Sequence, residues 1–303
     1  MQSEMRAPDE WPTGPAVDAG TESDSASGTD ISVLTSALPE RDGPALRLGA
    51  RVFPLRRWMA RRHAVVGAEM AVTASLLDQL PTGPTVVIVV APEVAADAVV
   101  DQLLPAAHGM LTRHGPPTGA LTLGVASPEP VRSGTAGKLA MYNQHLEALP
   151  EALVEAVAAG RRCGLVTAHG NCVLLLQHFV PATASAVVHA SPARHRPVRI
   201  DGRWGLTEVS SPADTYEVPA DGTTISEKLA WKPTAHVVAH GGTHTVSLPV
   251  SWRYRYSLGR GTVRRLAALA RDAAVTAGRP LSLDVALATH GPVVLRCRPA
   301  TAG

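Results

Sequence analysis

Thr85–Ala91 (TVVIVVA) is an unbroken, largely β-branched apolar run, which predicts a strand buried on both faces. Leu121–Val125 and Val173–Val180 read as further strands, with Ala186–Ala190 as a pairing partner for Val173–Val180. Val198–Ile200 and Arg203–Trp204 flank Asp201-Gly202, a dipeptide that favours a tight hairpin turn. Short strands follow at Tyr216–Val218, His236–Ala239 and Thr245–Leu248, divided by Gly and Pro. Leu281–Leu287 and Pro292–Leu295 close the chain around a turn at Thr289–Gly291.

Helical spacing appears in five places. A basic helix is expected around Leu55 and Met59, with Arg56, Arg57, Arg61 and Arg62; a small-residue segment then leads to a helix over Ala74–Leu80. Pro92–Leu104 places Val94, Ala98, Val99 and Leu103 on one side. Ala148–Gly160 is an Ala-rich helix stopped by Gly160, and Thr262–Thr276 aligns Val263, Leu266, Leu269 and Ala270. Helices and strands in the first part, then a strand-rich part, predict an α+β fold with more than one lobe.

Residues 1–44 break this pattern. Pro, Gly, Ser, Thr and Asp dominate, with too little apolar surface to repay ordering, so an unstructured tail is expected. This tail holds nine acidic and two basic residues, leaving 26 basic and 17 acidic residues in the rest. The net charge of +2 therefore hides an acidic tail on a basic body, which suits an anionic ligand. Aromatics are only 4% of the chain, which argues against a stacking platform for nucleic acid. The basic helix Arg56–Arg62 is the weaker case for a nucleic-acid contact.

Cys163, Cys172 and Cys297 are odd in number and fit no zinc spacing, which suggests a reducing, cytoplasmic setting. The longest apolar run, Val86–Ala91, is far shorter than a membrane span, and the N-terminus lacks the apolar segment of a signal peptide. The sequence contains no G-x-x-x-x-G-K-[ST], G-x-G-x-x-G or G-x-S-x-G element. Twelve histidines are scattered without metal-ligand spacing, and His240-Gly241-Gly242-Thr243-His244 reads as a hairpin tip.

The closing segment Ser282-Leu283-Asp284-Val285-Ala286, followed after nine residues by Arg296-Cys297-Arg298-Pro299-Ala300-Thr301, is similar to D-I-E-W-A … L-Q-A-R-P-I-T. Upstream, Val173–Pro181 is similar to V-L-V-Q-x-M-V-P, Ala184–Val188 to A-S-G-V-x-F, Trp204–Glu208 to W-G-L-G-E and Pro212–Tyr216 to P-D-x-Y. Glu227, Lys228 and Lys232 fall on a lysine-rich segment. In this order and spacing the blocks resemble the ATP-binding domain of phosphoenolpyruvate synthases and pyruvate phosphate dikinases, over some 140 residues from Gly164 to Ala302. The first half is less similar. Leu48–Arg51 lies on L-G-G-K, Val65–Thr73 on P-V-P-P-G-F-V-V-T, and Thr135–Lys138 on S-F-A-G-[QK]. The V-R-S-S element falls either on Leu121–Ser127, which puts Gly124 at its arginine, or on Val131-Arg132-Ser133.

The resemblance implies an ATP-grasp-like fold of two lobes, 45–165 and 166–303, behind the tail at 1–44. It implies ATP as ligand, Mg²⁺ as cofactor and phosphoryl transfer, a chemistry of positioning and charge neutralisation. Arg298 and Arg51 take the catalytic positions; Gln177, Glu208, Gly137 and Lys138 take the nucleotide-binding ones; Asp284 takes the metal position. The family's second metal ligand, a glutamine, is Arg296 here, which has no acceptor atom to offer a cation. Asp284 and Arg296 could instead form a salt bridge across facing strands. The 303 residues hold no phosphohistidine-domain pattern, so the expected acceptor is a separate phosphohistidine-domain protein or a small molecule. The alternative is a catalytically degenerate nucleotide-binding or scaffold module.

Overall fold

The computed structural model describes residues 51–55, 57–100, 120–128, 140–193, 195–207, 211–222, 224–239 and 242–300. The acidic tail, residues 101–104 of the expected 92–104 helix, Gly137, Lys138, Glu208 and the 131–133 register lie outside them; within 92–100 the expected helix is turns and bends up to 97, with helix over 98–100 alone.

Two antiparallel sheets organise the described chain, and the α+β expectation holds. The first contains β1 (Arg51–Pro54), β2 (Thr85–Val90), β3 (Ala120–Val125), β4 (Ala140–His145) and β5 (Cys172–His178), in the order β1-β2-β5-β3-β4. Strand side chains alternate between faces, and β2 uses both. Val86, Ile88 and Val90 pack toward Leu149, Leu153 and Val157 of helix α2 (Leu149–Arg162). Val87 and Val89 pack toward Val66, Met70 and Ala74 of α1 (His63–Ser75). That double cover is why β2 has no polar alternation.

The second sheet contains β6 (Ala184–Ala190), β7 (Val198–Trp204), β8 (Asp214–Val218), β9 (Ser226–Lys228), β12 (Leu281–Ala288) and β13 (Gly291–Pro299). Its order is β13-β12-β6-β7-β8-β9. One face carries Ala186, Val188, Ile200, Tyr216, Leu283, Val285 and Cys297 against Val263, Leu266, Ala270 and Ala274 of α4 (Arg260–Ala277). By the same alternation, the other face carries Ser185, His189, Arg199, Asp201, Arg203, Ser282, Asp284 and Arg298. Between these stretches lie the hairpin β10 (Thr234–Ala239) and β11 (Gly242–Ser247) and the short helix α3 (Val250–Arg253). Ala239 opposes Gly242, as the expected hairpin at 240–244 requires.

Several expectations need correction. Ala186–Ala190 does not pair with Val173–Val180: β5 lies between β2 and β3 in the first sheet, while β6 joins the second. The chain thus passes from one sheet to the other after His178, and β5, assigned with the second lobe from sequence, is central in the first sheet. Asp201-Gly202 is not a turn. β7 runs straight through it, and Gly202 is needed because a Cβ would stand 2.8 Å from Leu258 Cδ1 and 2.9 Å from Ser257 Oγ. Gly160 does not end α2, which continues to Arg162 with Gly160 packed against Cys172 and Val125. Of the expected 74–80 helix only Ala74 and Ser75 are helical, as the end of α1, which begins at His63, while 76–80 is turn and bend; the expected basic helix is a 3₁₀ segment over Arg57–Arg61.

Two of the sequence blocks have structural reasons. Asp214 of P-A-D-T-Y and Lys232 form a fully buried ion pair. Asp214 also accepts from Ala230 N at 3.0 Å and from Ser257 N and Oγ at 2.8 Å each, so the buried carboxylate is satisfied. Gly205 of the W-G-L block has φ 74°, and its backbone lies against β10: Leu206 N donates to His236 O at 2.7 Å.

Candidate functional site

Gly67 sits in α1 at φ 79°, a left-handed kink that only glycine adopts readily. The kink brings the next turn against residues 127–128: Ala68 N donates to Pro128 O at 2.9 Å and Glu69 N to Ser127 O at 3.3 Å. Glu69, wholly buried, is thereby aimed at β13. Arg296 Nε donates to Glu69 Oε1 at 2.6 Å and Arg296 Nη2 to Oε2 at 2.7 Å, a bidentate pair. Arg296 Nη2 also donates to Val125 O at 2.7 Å, and Ser127 N donates to Glu69 Oε2 at 2.6 Å. Burial works against the arginine's charge, but the Glu69 carboxylate more than offsets it and raises the arginine pKa above its ordinary value.

Asp284 does stand across from Arg296 on the facing strand. The ion pair expected between them is nevertheless exchanged: Asp284 pairs with Arg298 on the same sheet face, and Arg296 pairs with Glu69 on α1. Tyr142 of β4 belongs to the same neighbourhood. Burial and then the Asp284 charge push its phenol up to about 12, with Arg296 and Arg298 pulling the other way. Gln177 is buried at the end of β5, and its Nε2 donates at 2.9 Å both to Thr85 Oγ1 and to Leu295 O.

Of the residues singled out from sequence, Gln177, Asp284 and Arg298 are therefore brought to one place around the middle of β13. Arg51 lies in β1 opposite Val89, at the edge of the first sheet, where its backbone alone is described. Glu208, Gly137 and Lys138 lie outside the described residues. Gly124 occupies mid-β3, and Arg296 Nη2 donates to the carbonyl of its neighbour Val125.

Sequence reasoning missed Glu69. Its signal was there: it is the only charged side chain between His63 and Ser75 in an otherwise apolar helix, and a buried carboxylate requires a cationic partner. Tyr142, Ser185, His189, Asp201 and Arg203 were missed as well. Ser185 faces Arg203 and Val187 faces Asp201 across the β6–β7 ladder, which the supposed turn at 201–202 would have prevented.

The described residues do not fit Mg²⁺. Asp284 is committed to Arg298 and both Glu69 oxygens to Arg296, and no group of three or more His, Cys, Asp or Glu among the described residues could hold a metal ion. The arrangement does fit an anion. Several buried donors have no partner among the described residues: Arg296 Nη1, Arg298 Nε and Nη1, Arg203 Nη1 and Ser185 Oγ. The buried thiols offer no nucleophile, since burial pushes Cys172 up to about 11 and Cys297 higher still.

His189 lies between these charges. Burial lowers its pKa below the ordinary 6.5; Asp201 and Asp284 pull upward, Arg199 and Arg298 downward. The folded chain then holds fewer protons than the unfolded chain just below pH 6.5. Stability should therefore fall as pH drops through 6.5 toward the lower folded value, and His189 should contribute nothing above that window. Melting temperature followed against pH should lose part of this acid-side slope in His189→Gln; an unchanged curve would show that His189 titrates alike in both states.

No family model matches the sequence, and no curated protein matches it. Among solved structures, the chain is similar to the D-alanine-D-alanine ligase from Coxiella burnetii, at 11% identity and a TM-score of 0.35, over 78% of this chain and 47% of that one. It is similar to the ATP-grasp ligase PsnB complexed with minimal precursor, at 10% identity and a TM-score of 0.34, over 80% and 55%. It is also similar to N5-carboxyaminoimidazole synthase from Aspergillus clavatus in complex with ADP and 5-aminoimidazole ribonucleotide, at 13% identity and a TM-score of 0.36, over 80% and 45%. The chain spans about half the length of these proteins. At such scores the likeness carries no argument about activity. No helix among the described residues is long and apolar enough to cross a membrane.

Proposed function

We propose that this chain is an ATP-binding component of the phosphoenolpyruvate synthase and pyruvate phosphate dikinase type, acting with a separate phosphoryl acceptor. The observation that carries the reading is the convergence of Gln177, Asp284 and Arg298. Gln177 comes from one sequence block and Asp284 and Arg298 from the closing one, and all three lie on or beside β13, where buried guanidinium N–H groups have no acceptor among the described residues. Arg298 would hold a phosphate, and Gln177 the nucleoside side of the cleft, with Arg51, Gly137, Lys138 and Glu208 completing the site as the resemblance implies. Phosphate binding of this kind needs fixed cations rather than a chemically reactive side chain, and the described residues supply cations.

Titration calorimetry and thermal unfolding with ATP test the reading. A ligand at 100 times its Kd stabilises the folded chain by about 2.7 kcal/mol, so a clear rise in melting temperature is expected at millimolar ATP. No heat and no rise would overturn it. The second reading, a degenerate nucleotide-binding module, is favoured by the Glu69–Arg296 pair, because the resemblance puts a metal ligand at residue 296. The two part on turnover: ATP consumed when a phosphohistidine-domain acceptor is added supports the transferase, whereas binding without consumption supports the module.

A further inference from the structure

The polar face of the second sheet holds buried donors on several neighbouring strands. Arg298 and Arg296 lie on β13, Ser185 on β6 and Arg203 on β7, with Asp284 of β12 between them. Ser185 is 1% exposed, Arg298 4% and Arg296 7%. Each leaves at least one polar atom without a partner among the described residues, although each arginine is held elsewhere: Arg296 by Glu69, Arg298 by Asp284, and Arg203 through Nε to Ser211 O at 3.0 Å. An unpaired buried donor is costly, because it has given up water without gaining a partner. Several on one face are therefore a standing penalty that an anion with many acceptors would remove.

Two features set the kind of anion. Neighbouring strands lie about 4.8 Å apart, so β13 to β7 covers about 14 Å, too far for one isolated phosphate. The cations are also pre-positioned. Glu69 clamps Arg296 in a bidentate pair, and Asp284 holds Arg298, so both guanidinium groups are fixed before any ligand arrives. The carboxylates that a divalent cation would need are consumed in doing so.

We infer that this face is a metal-independent site for an extended polyphosphate, in which Arg296 and Arg298, with Ser185 and Arg203, supply the positive charge and donors that a bound divalent cation would otherwise supply. The ATP reading above gives the ligand its identity, but the strip stands without it. Ala286, on the same face and opposite Ser185, packs with Phe179 and Leu206, and Tyr142 packs against them.

The test is calorimetry on the full chain with ATP, tripolyphosphate and orthophosphate, each in MgCl₂ and in EDTA. ATP and tripolyphosphate should bind with Kd values that agree within about threefold between the two buffers, and orthophosphate at least about tenfold more weakly, the margin of a single charge-assisted hydrogen bond. Ser185→Ala and Arg203→Met should each weaken tripolyphosphate while circular dichroism and melting temperature report an intact fold. Tripolyphosphate bound equally in both buffers with ATP rejected would uphold the strip and remove ATP as its ligand. Binding of either ligand that needs Mg²⁺ would overturn the metal-independent site while leaving the ATP reading in place. No polyphosphate binding in either buffer, or folded variants with unchanged affinity, would overturn the strip itself.

Discussion

Glu69→Ala is expected to cost about 3–5 kcal/mol of folding stability, because it strands a buried guanidinium. Arg296 is 7% exposed and directs Nε and Nη2 at the two Glu69 oxygens. Without the carboxylate, the bond to Val125 O is the one it keeps among the described residues. Ser127 N loses its acceptor in the same step. Urea unfolding should therefore show a lower midpoint with an unchanged slope, since the surface exposed on unfolding is nearly the same. The double variant Glu69→Met with Arg296→Met separates the causes. Replacing both ions with apolar groups of similar volume is often neutral or stabilising, so the double variant should recover most of the loss. A single variant within about 1 kcal/mol of the parent would mean that the freed guanidinium finds another acceptor, below the usual cost of an unpaired buried charge. The pair would then be dispensable to the fold.

Gly205→Ala should be of comparable size for a reason confined to the backbone. At φ 74°, an L-residue strains against its own carbonyl at about 1–2 kcal/mol. A Cβ there would stand 2.1 Å from His236 O, and backbone cannot rotate away as a side chain can. β10 would have to retreat, which breaks the Leu206 N to His236 O bond of 2.7 Å and the adjoining bridge between Gly205 and His236. The combined loss is about 3–5 kcal/mol, summing the conformational strain, the lost hydrogen bond and the displaced packing. Reduced melting temperature and early hydrogen exchange in 234–247 would bear this out. A variant as stable as the parent, with protected β10 amides, would show that the hairpin is not seated on residue 205.

Much of the fold was legible along the chain. β3, β8, β10–β12 and α4 were legible as elements, and the unbroken apolar run Val86–Val90 of β2 announced that both its faces are covered. Boundaries failed where a residue is used against its usual habit. Gly160 and Gly202 read as a stop and a turn because glycine commonly marks both. Each instead makes room for a neighbour distant in sequence, Cys172 and Leu258 respectively.

The site divides in the same way. Sequence alone determined that Asp284 and Arg296 stand on facing strands and that Gln177 lies in a buried strand. These follow from local alternation and spacing, which neighbouring residues set. Only the tertiary structure decided which carboxylate each guanidinium takes. Arg296 and Glu69 are 227 residues apart, and their pairing follows from the Gly67 kink, the burial of both groups and the cost of desolvating either alone. Burial is a property of the packed whole, so no pattern along the chain could have assigned Arg296 to Glu69 or left Asp284 to Arg298.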